Sequence, residues 1–376
     1  MAGLYIHIPF CKSRCIYCGF YSTTNMEWRQ QYVDAICKEM EMRLIENCET
    51  IYLGGGTPSQ LTPDQLRQLF LYINKVYGNK EREVTIEVNP DDITSEYAAT
   101  LSQQGVNRVS MGAQTFDDER LRFLHRRHTA EQVSLAIQRL RNTGIQNISI
   151  DLMYGFPDET LDDWERDIDA ALALNVEHLS AYCLMIEENT PLYHMLKKPT
   201  TANSSLFTLH SSLPSDELER QMYELLIDKL TAAGYEHYEI SNFAQPGFRS
   251  QHNSSYWQDI PYIGLGAAAH SYDLKSRSWN VANLQAYVEA IERGETPSER
   301  EEIDEDTHYN DRITVALRTK EGLDLDTLSD RHRTYCEQEA QRYIDQGLLR
   351  REGFYLRLTR KGLFVSDDIM SSLIYV

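Results

Sequence analysis

The sequence of 376 residues lacks any apolar run long enough to cross a membrane, which excludes a protein built on spanning helices. It is also poor in basic residues, since 37 Lys and Arg stand against 57 Asp and Glu, and the net charge is −20. We therefore expect no nucleic-acid partner bound through bulk electrostatics. Its seven cysteines form no framework of disulfide pairs, and strand-like sequence begins almost at Met1, without a signal peptide. Together these absences predict a cytoplasmic protein.

Three of the cysteines lie close together. Cys11, Cys15 and Cys18 follow an apolar strand-like run with the spacing C-x3-C-x2-C. A cluster of four irons normally takes four thiolates, so three thiolates leave one iron open to a small molecule. The alternatives are three unrelated thiols or a structural zinc site, but zinc sites usually take two separated pairs of ligands and the other cysteines form no second pair. We predict a [4Fe–4S] cluster on these three residues.

Strand-like and helix-like segments alternate through the first half of the chain. The apolar runs are Leu4–Phe10, Thr50–Leu53, Val84–Val88, Arg108–Ala113, Ile148–Met153 and His178–Leu184. The amphipathic stretches between them are Trp28–Leu44, Pro63–Val76, Ser95–Gln104, Ala130–Asn142 and Leu161–Leu174. Short apolar strands separated by helices indicate a parallel sheet. The pattern predicts an α/β fold with a (β/α)6 partial barrel, although a flat doubly wound sheet would give nearly the same pattern.

Polar residues stand where the predicted strands end, and this favours the barrel. A run of glycines, Gly54–Gly56, follows the second strand, while Glu87, Gln114 and Asp151 lie at or near the ends of the next three. The carboxyl-terminal rim of such barrels carries the active site, and the first strand delivers the cysteines to the same rim. Taken singly, each of these polar residues also fits an ordinary structural role.

Four segments together resemble one family. Tyr5–Cys11, Gly54–Ser59, Ser110–Phe116 and Ser149–Gly155 look like the motifs of radical S-adenosylmethionine (radical SAM) proteins of the HemN/HemW branch. The resemblance covers nearly the whole chain, and it implies the radical SAM barrel, with S-adenosylmethionine chelating the open iron. It implies that the following residues contact S-adenosylmethionine: Tyr5, Tyr17 through its backbone, Gly55, Gly56, Thr57, Glu87, Gln114, Arg126, Asp151 and Met185, although the sequence around Met185 departs from that of the dehydrogenase members.

The branch contains two kinds of protein. One kind, the oxygen-independent coproporphyrinogen III dehydrogenases, decarboxylates propionate side chains; the other, the HemW-type heme chaperones, binds heme and passes it to acceptor proteins. The dehydrogenases carry a further cysteine two residues after the third, and a longer N-terminal extension. This sequence has Phe20 at that position and ten residues before Cys11. Both differences favour the chaperones.

A second motif points the same way. His252-Asn253-Ser254-Ser255-Tyr256-Trp257 matches the H-N-x-x-Y-W pattern of the chaperones. A histidine can ligate heme iron, and aromatic neighbours offer flat apolar contact to a porphyrin. We predict His252 as the heme-site residue; a structural role for the motif is the alternative, and His270 is a second candidate ligand.

The sequence as a whole predicts three domains. Residues 1–186 form the radical SAM core, residues 187–304 an α+β extension with the heme motif, and residues 305–376 a small winged-helix-like domain that we interpret as a packing lid. Within the extension, 187–216 reads as an exposed insertion. The acidic run Glu299–Asp306 is expected to be a solvated linker or a helix start.

These observations predict a heme chaperone on a radical SAM scaffold, with heme and an unidentified acceptor protein as partners; homodimerisation and enzymatic activity are left open. One alternative is a radical SAM enzyme acting on a porphyrin, such as the coproporphyrinogen III dehydrogenases. A third hypothesis is a degenerate barrel whose cluster only drives assembly.

Overall fold

The computed structural model describes residues 2–45, 48–78, 82–197 and 213–376. The strands are β1 (Ala2–Ile8), β2 (Cys48–Gly55), β3 (Glu83–Val88), β4 (Arg108–Gln114), β5 (Asn147–Tyr154), β6 (His178–Cys183), β7 (Glu236–Glu239), β8 (Asn242–Ala244), β9 (Tyr262–Leu265), β10 (His270–Tyr272), β11 (Ser276–Asn280), β12 (Ser298–Glu302), β13 (Leu323–Asp324), β14 (Leu349–Glu352) and β15 (Tyr355–Leu358). The helices are α1 (Arg29–Met42), α2 (Pro63–Tyr77), α3 (Ser95–Gln103), α4 (Asp118–Phe123), α5 (Ala130–Asn142), α6 (Leu161–Ala173), α7 (Pro191–Lys197), α8 (Asp216–Ala232), α9 (Gln251–Trp257), α10 (Leu284–Arg293), α11 (Glu305–Ala316), α12 (Asp330–Asp345), α13 (Arg360–Leu363) and α14 (Ser366–Ser372).

Six parallel strands in chain order, β1 to β6, form the centre of the large sheet. This confirms the predicted parallel sheet and its six units. A seventh parallel strand, β9, pairs with the free edge of β1, which the sequence did not predict. Antiparallel strands complete both sides, with β10 to β12 beyond β9 and β8 and β7 beyond β6. The sheet is therefore an open, partial barrel whose parallel strands share one carboxyl-terminal rim.

The outer helices begin at well-defined caps. At α2, the Thr62 side chain accepts a hydrogen bond from the Gln65 backbone, while the Gln65 side chain accepts one from the backbone of Thr62. Pro63, at the first helical position, has no backbone N–H that would need an acceptor. At α6, Thr160 forms the same kind of capping box. These caps fix where each helix starts, so the strand before it ends at a defined point on the rim.

In its described part, the extension packs onto the barrel without a core of its own. Apolar residues as far along as Ile291 belong to the same cluster as the strands of the barrel. On α6, the Trp164 indole donates to the backbone carbonyl of Met222 on α8, at 2.9 Å. The extension therefore adds a further layer to the barrel.

Two predictions about the extension need correction. Residues Ser298–Glu302 form β12, which pairs antiparallel with β11, so a linker was wrong there; Asp304 then caps α11, as the alternative of a helix start required. Every side chain of β12 is exposed, so no apolar pattern marked the strand. Of the predicted insertion, 198–212 lies outside the described residues. Within its described part, Leu192 on α7 is buried, and its N–H donates to the Ile16 carbonyl at 2.9 Å, so this helix packs on the cysteine loop.

The C-terminal segment has a separate apolar cluster that includes Tyr309, Leu323 and Ile369. Helices α11 and α12 precede the β14–β15 hairpin, and β13 pairs with β15, which becomes the central strand of a three-stranded sheet. This confirms the predicted order of helices, hairpin and terminal helix. An ion pair at 2.9 Å between Arg318 and Glu239 joins this segment to β7. Among the described residues, none of the helices combines the length and the apolar character that spanning a bilayer requires.

Candidate functional site

The three clustered cysteines lie on the loop that follows β1. The backbone N–H of Cys11 donates to the Thr23 carbonyl at 2.9 Å, and its sulfur lies 3.5 Å from the hydroxyl of Thr57. All three thiols are free. Burial, and then the neighbouring thiols, raise the pKa of Cys11 and Cys18. Thiolates in so apolar a place need a positively charged partner, which bound iron supplies.

Arg126 places a cation beside this loop. Its Nη1 lies 3.6 Å from the sulfur of Cys15, and its Nη2 donates to the Asn89 side chain at 2.8 Å and to the Gly112 carbonyl at 2.6 Å. Its buried Nε has no hydrogen-bond partner among the described residues. The guanidinium is thus anchored at one end and retains a free donor at the cysteine loop.

The glycine turn after β2 lies tightly against β1. Gly55 adopts a φ of 112°, and a Cβ there would come within 2.5 Å of the His7 ring. A Cβ at Gly56 would lie 2.6 Å from the carbonyl carbon of Pro9. Only glycine fits both places, because a side chain at either one would collide with β1 or with the residue that follows it.

Two carboxyl groups, those of Glu87 on β3 and Asp151 on β5, face the interior of the barrel. Glu87 accepts hydrogen bonds from the Tyr52 hydroxyl at 2.8 Å and from the Gly55 backbone at 3.0 Å. Burial raises the pKa of Glu87 to about 7, and the charge of Asp151 adds to the rise. Burial likewise raises the pKa of Asp151 to about 6, although Arg108 opposes the effect. Both side chains are half-buried, and no neighbouring cation fully compensates their charge. Such a pair favours a positively charged or hydroxyl-bearing ligand.

The remaining predicted contact residues stand at the same rim. Tyr5 stacks on Tyr52 with ring centroids 6.2 Å apart. Gln114 is buried at the end of β4 with a left-handed φ of 68°, a strained conformation that often marks a functional position. Burial raises the pKa of Tyr17, and the charge of the nearby Arg126 guanidinium opposes the rise. Met185, just beyond β6, is 66% exposed.

This set of residues fits a [4Fe–4S] cluster with S-adenosylmethionine. The thiols could hold three irons, and the two carboxyl groups could pair with an ammonium or with ribose hydroxyls. No three His, Cys, Asp or Glu side chains in the described parts of the chain converge on a single metal ion. A cluster needs no such convergence, because each thiolate binds its own iron.

His252 lies at the opposite end of the barrel. It is fully buried on α9, whose first N–H groups donate to Glu83 at the start of β3. Its ring nitrogens form hydrogen bonds of 2.8 Å with the hydroxyls of Thr50 and Tyr256. Burial, and then Arg108, lower the pKa of His252 to about 3. In this arrangement neither nitrogen is available to iron, and the role of His252 in heme binding stays a prediction.

Two residues of the rim were not assigned from the sequence. Asn89 accepts the hydrogen bond that positions Arg126, and His7 packs beneath Gly55 with its Nε2 2.9 Å from the Tyr21 carbonyl. The signal for Asn89 was its place directly after a strand and before Pro90. His7 lies within the strand motif itself, and only the side-chain packing shows its part.

Comparison with protein families matches two regions. Residues 5–171 match the radical SAM superfamily, and residues 303–365 match the HemN C-terminal domain. The first region contains the cysteine loop, the glycine turn and both buried carboxyl groups.

Relatives match over nearly the full length. The chain is 33% identical to the heme chaperone HemW of Bacillus subtilis, over 100% of this chain and 99% of that protein. It is 31% identical to the heme chaperone HemW of Lactococcus lactis, over 98% and 96%. The solved structure of the coproporphyrinogen III oxidase HemN of Escherichia coli, a radical SAM enzyme, superposes with a TM-score of 0.84 at 22% identity, over 99% of this chain and 90% of that one, which shows a shared fold.

Proposed function

The chain belongs to the HemW family of radical SAM proteins, and from this membership we propose that it is a heme chaperone, which binds heme and transfers it to an acceptor protein. The observation that carries the choice over a porphyrin-modifying enzyme is Phe20. It occupies the place where the resemblance expects the dehydrogenases' further cysteine, and it is 71% exposed beside the cysteine loop. An exposed phenyl ring there offers neither a thiolate nor a proton donor.

The residues of the rim suit the cofactors of the superfamily. Cys11, Cys15 and Cys18 would hold the [4Fe–4S] cluster, and the backbone at Gly55 with the carboxylate of Glu87 would bind S-adenosylmethionine. When bound, the cluster and S-adenosylmethionine supply one-electron chemistry. The remaining assigned residues, Tyr5, Tyr17, Gly56, Thr57, Gln114, Arg126, Asp151 and Met185, would complete the S-adenosylmethionine site.

The proposal includes organisation and partners. We propose a barrel core of 1–186, an extension of 187–304 and a C-terminal domain of 305–376; the separate apolar cluster of the last segment supports its boundary. The expected partners are heme and an acceptor protein, in the cytoplasm, with no nucleic acid. Whether a homodimer forms is tested by sedimentation of the cluster-loaded protein.

The test measures two activities of the anaerobically reconstituted protein. We expect stoichiometric heme binding in an absorbance titration, and no conversion of coproporphyrinogen III under reducing conditions. Cys18→Ala removes a cluster ligand at the opposite end of the barrel from His252, so it should retain heme binding better than His252→Ala does. Formation of protoporphyrinogen IX would assign the chain to the enzymatic alternative, and absence of heme binding would refute the chaperone.

A further inference from the structure

The extension contains an open cleft away from the S-adenosylmethionine site, and His270, the second candidate heme ligand, lines it. It lies between β11, β12 and α10, and its volume is about 700 Å³. Ligand sites typically measure roughly 300–1,000 Å³. One wall consists of small apolar side chains, such as Ala268, Val281 and Ala286, together with the rings of His270 and Trp279. Polar and charged residues, among them Arg293, Glu295 and Glu299, line the remainder. The cleft therefore suits a flat ligand with an apolar body and polar substituents.

His270 differs from His252 in the features that metal ligation requires. Its side chain is exposed at the cleft, and its ring nitrogens form no hydrogen bond with any described residue. Its ring lies nearly parallel to the Trp279 indole, with centroids 6.0 Å apart and planes at 29°. Burial and the charge of Arg277 lower the pKa of His270, so the neutral imidazole with a free lone pair predominates at neutral pH.

The cleft is held by buried polar contacts, and it does not depend on a ligand for its shape. The fully buried carboxylate of Glu39 on α1 accepts hydrogen bonds from the Gly266 backbone at 2.8 Å, the Asn280 side chain at 2.8 Å and the Tyr287 hydroxyl at 2.6 Å. Through these hydrogen bonds, the single carboxylate of Glu39 holds the loop before β10, the end of β11 and α10 together. The strand β10 also places His270 directly opposite Trp279 in antiparallel register.

We propose that this cleft binds the heme macrocycle and that His270 supplies an axial ligand to its iron, an inference that rests on the proposed chaperone function. Neutral imidazole is a common axial ligand of heme iron. The wall of small apolar side chains would accept the macrocycle, and the Trp279 indole offers a flat contact surface beside the ligating ring. Arg293 at the edge of the cleft, now paired with Glu295 at 2.9 Å, is positioned for a propionate.

The site also lies near the first strand of the barrel. The charge of His270 contributes to lowering the pKa of His7, which packs under the glycine turn, although burial contributes most. In the sheet, only β9 lies between β10, which carries His270, and β1, which leads into the cysteine loop. His252 instead lies against the beginning of β1, where a Cβ at Gly3 would come within 3.1 Å of its ring.

The experiment titrates heme into the cluster-loaded protein and its variants, with the Soret band and electron paramagnetic resonance as readouts. His270→Ala should weaken binding by more than the roughly 10–100-fold that loss of a ligand's supporting partner costs, and it should shift the Soret band. Added imidazole should restore the spectrum by occupying the vacated place. His194→Ala, which removes another exposed histidine, should behave as the unaltered protein does.

A second pair of variants tests the cleft without touching the iron ligand. Ala286→Trp places a large ring in the cleft from the exposed side of α10 and should block heme, while Gln285→Trp on the same helix, outside the lining, should not. Heme binding by the unaltered protein, with equal affinity and spectrum in His270→Ala, would overturn this inference and leave the chaperone function intact. No heme binding by the unaltered protein would overturn both.

Discussion

Replacing Glu87 by glutamine should make the protein more stable at pH 8 while it weakens S-adenosylmethionine binding. The Glu87 carboxyl group is buried in the barrel, and its pKa is raised from the ordinary 4.5 to about 7. A carboxyl group that ionises more readily in the unfolded chain than in the folded one opposes folding once it is ionised. Glutamine keeps the shape and the ability to accept a hydrogen bond from Tyr52, and it removes the charge.

The expected size follows from the shift. At about 1.4 kcal/mol per pKa unit, the rise from 4.5 to about 7 corresponds to roughly 3–4 kcal/mol of lost stability. Between these two pH values the folded protein binds more protons at this site than the unfolded chain does. The free energy of unfolding therefore falls as pH rises from about 4.5 to about 7, and the loss is complete above that range. Asp151, with its pKa raised to about 6, contributes in the same direction.

Two measurements on the cluster-loaded protein test this reasoning. Urea unfolding at pH 5 and pH 8 should show a smaller loss of stability with pH in Glu87→Gln than in the unaltered protein. S-adenosylmethionine should bind about tenfold or more weakly, because a charged hydrogen-bond partner contributes roughly 1.5–3 kcal/mol.

The matched control is Glu159→Gln. The pKa of Glu159 is also raised to about 7 by burial, but its carboxylate accepts from the Gly155 and Phe156 backbone and lies 3.5 Å from Arg120. This variant should leave S-adenosylmethionine binding unchanged. Equal binding by Glu87→Gln and the unaltered protein, or a lower stability of Glu87→Gln at pH 8, would refute the assignment of Glu87.

The remaining predictions concern the cluster and the glycine turn. Alanine at any one of the three loop cysteines should abolish the iron–sulfur absorbance after anaerobic reconstitution, whereas alanine at the buried free thiol Cys336 should leave it unchanged; a cluster that survives without a loop cysteine would contradict the ligand set. Gly55→Ala should destabilise the protein by clearly more than the ~1 kcal/mol typical of a positive φ alone, because its Cβ would meet the His7 ring at 2.5 Å. Gly78→Ala, also at positive φ but with open space around it, measures the backbone contribution by itself, and equal costs in denaturant unfolding would show that the turn has room.

The parts of the fold that followed from the sequence are those with local signals. Continuous apolar runs marked β1 to β6, and amphipathic stretches such as Pro63–Val76 marked the helices between them. The short strand β9 carries too few residues for a periodic pattern, and its parallel pairing with β1 joins positions far apart in the chain. The exposed strand β12 is defined only by its backbone hydrogen bonds to β11. Its sequence therefore shows no alternation of apolar and polar residues from which a strand could be predicted.

The candidate site divides in the same way. Parallel strands end at the same rim whatever the path of the loops, and this brings Glu87 and Asp151 together. Their position at the ends of predicted strands was therefore sufficient to place them in the site. The position of His252 depends on how α9 docks under the barrel, with Glu83 accepting its first N–H groups. That contact is a tertiary one between distant segments. The motif alone therefore could not show that the His252 side chain is buried.

The position of His252 also changes how its substitution must be interpreted. The Tyr52 ring stacks on the His252 ring with centroids 5.1 Å apart, and the Tyr52 hydroxyl donates to Glu87 at 2.8 Å. Removing the imidazole leaves a cavity beneath Tyr52, so the hydrogen bond to Glu87 and with it S-adenosylmethionine binding should suffer. Loss of heme binding in His252→Ala is therefore evidence for direct ligation only if S-adenosylmethionine still binds with its original affinity. If both are lost together, the histidine supports the barrel, and its effect on heme is indirect.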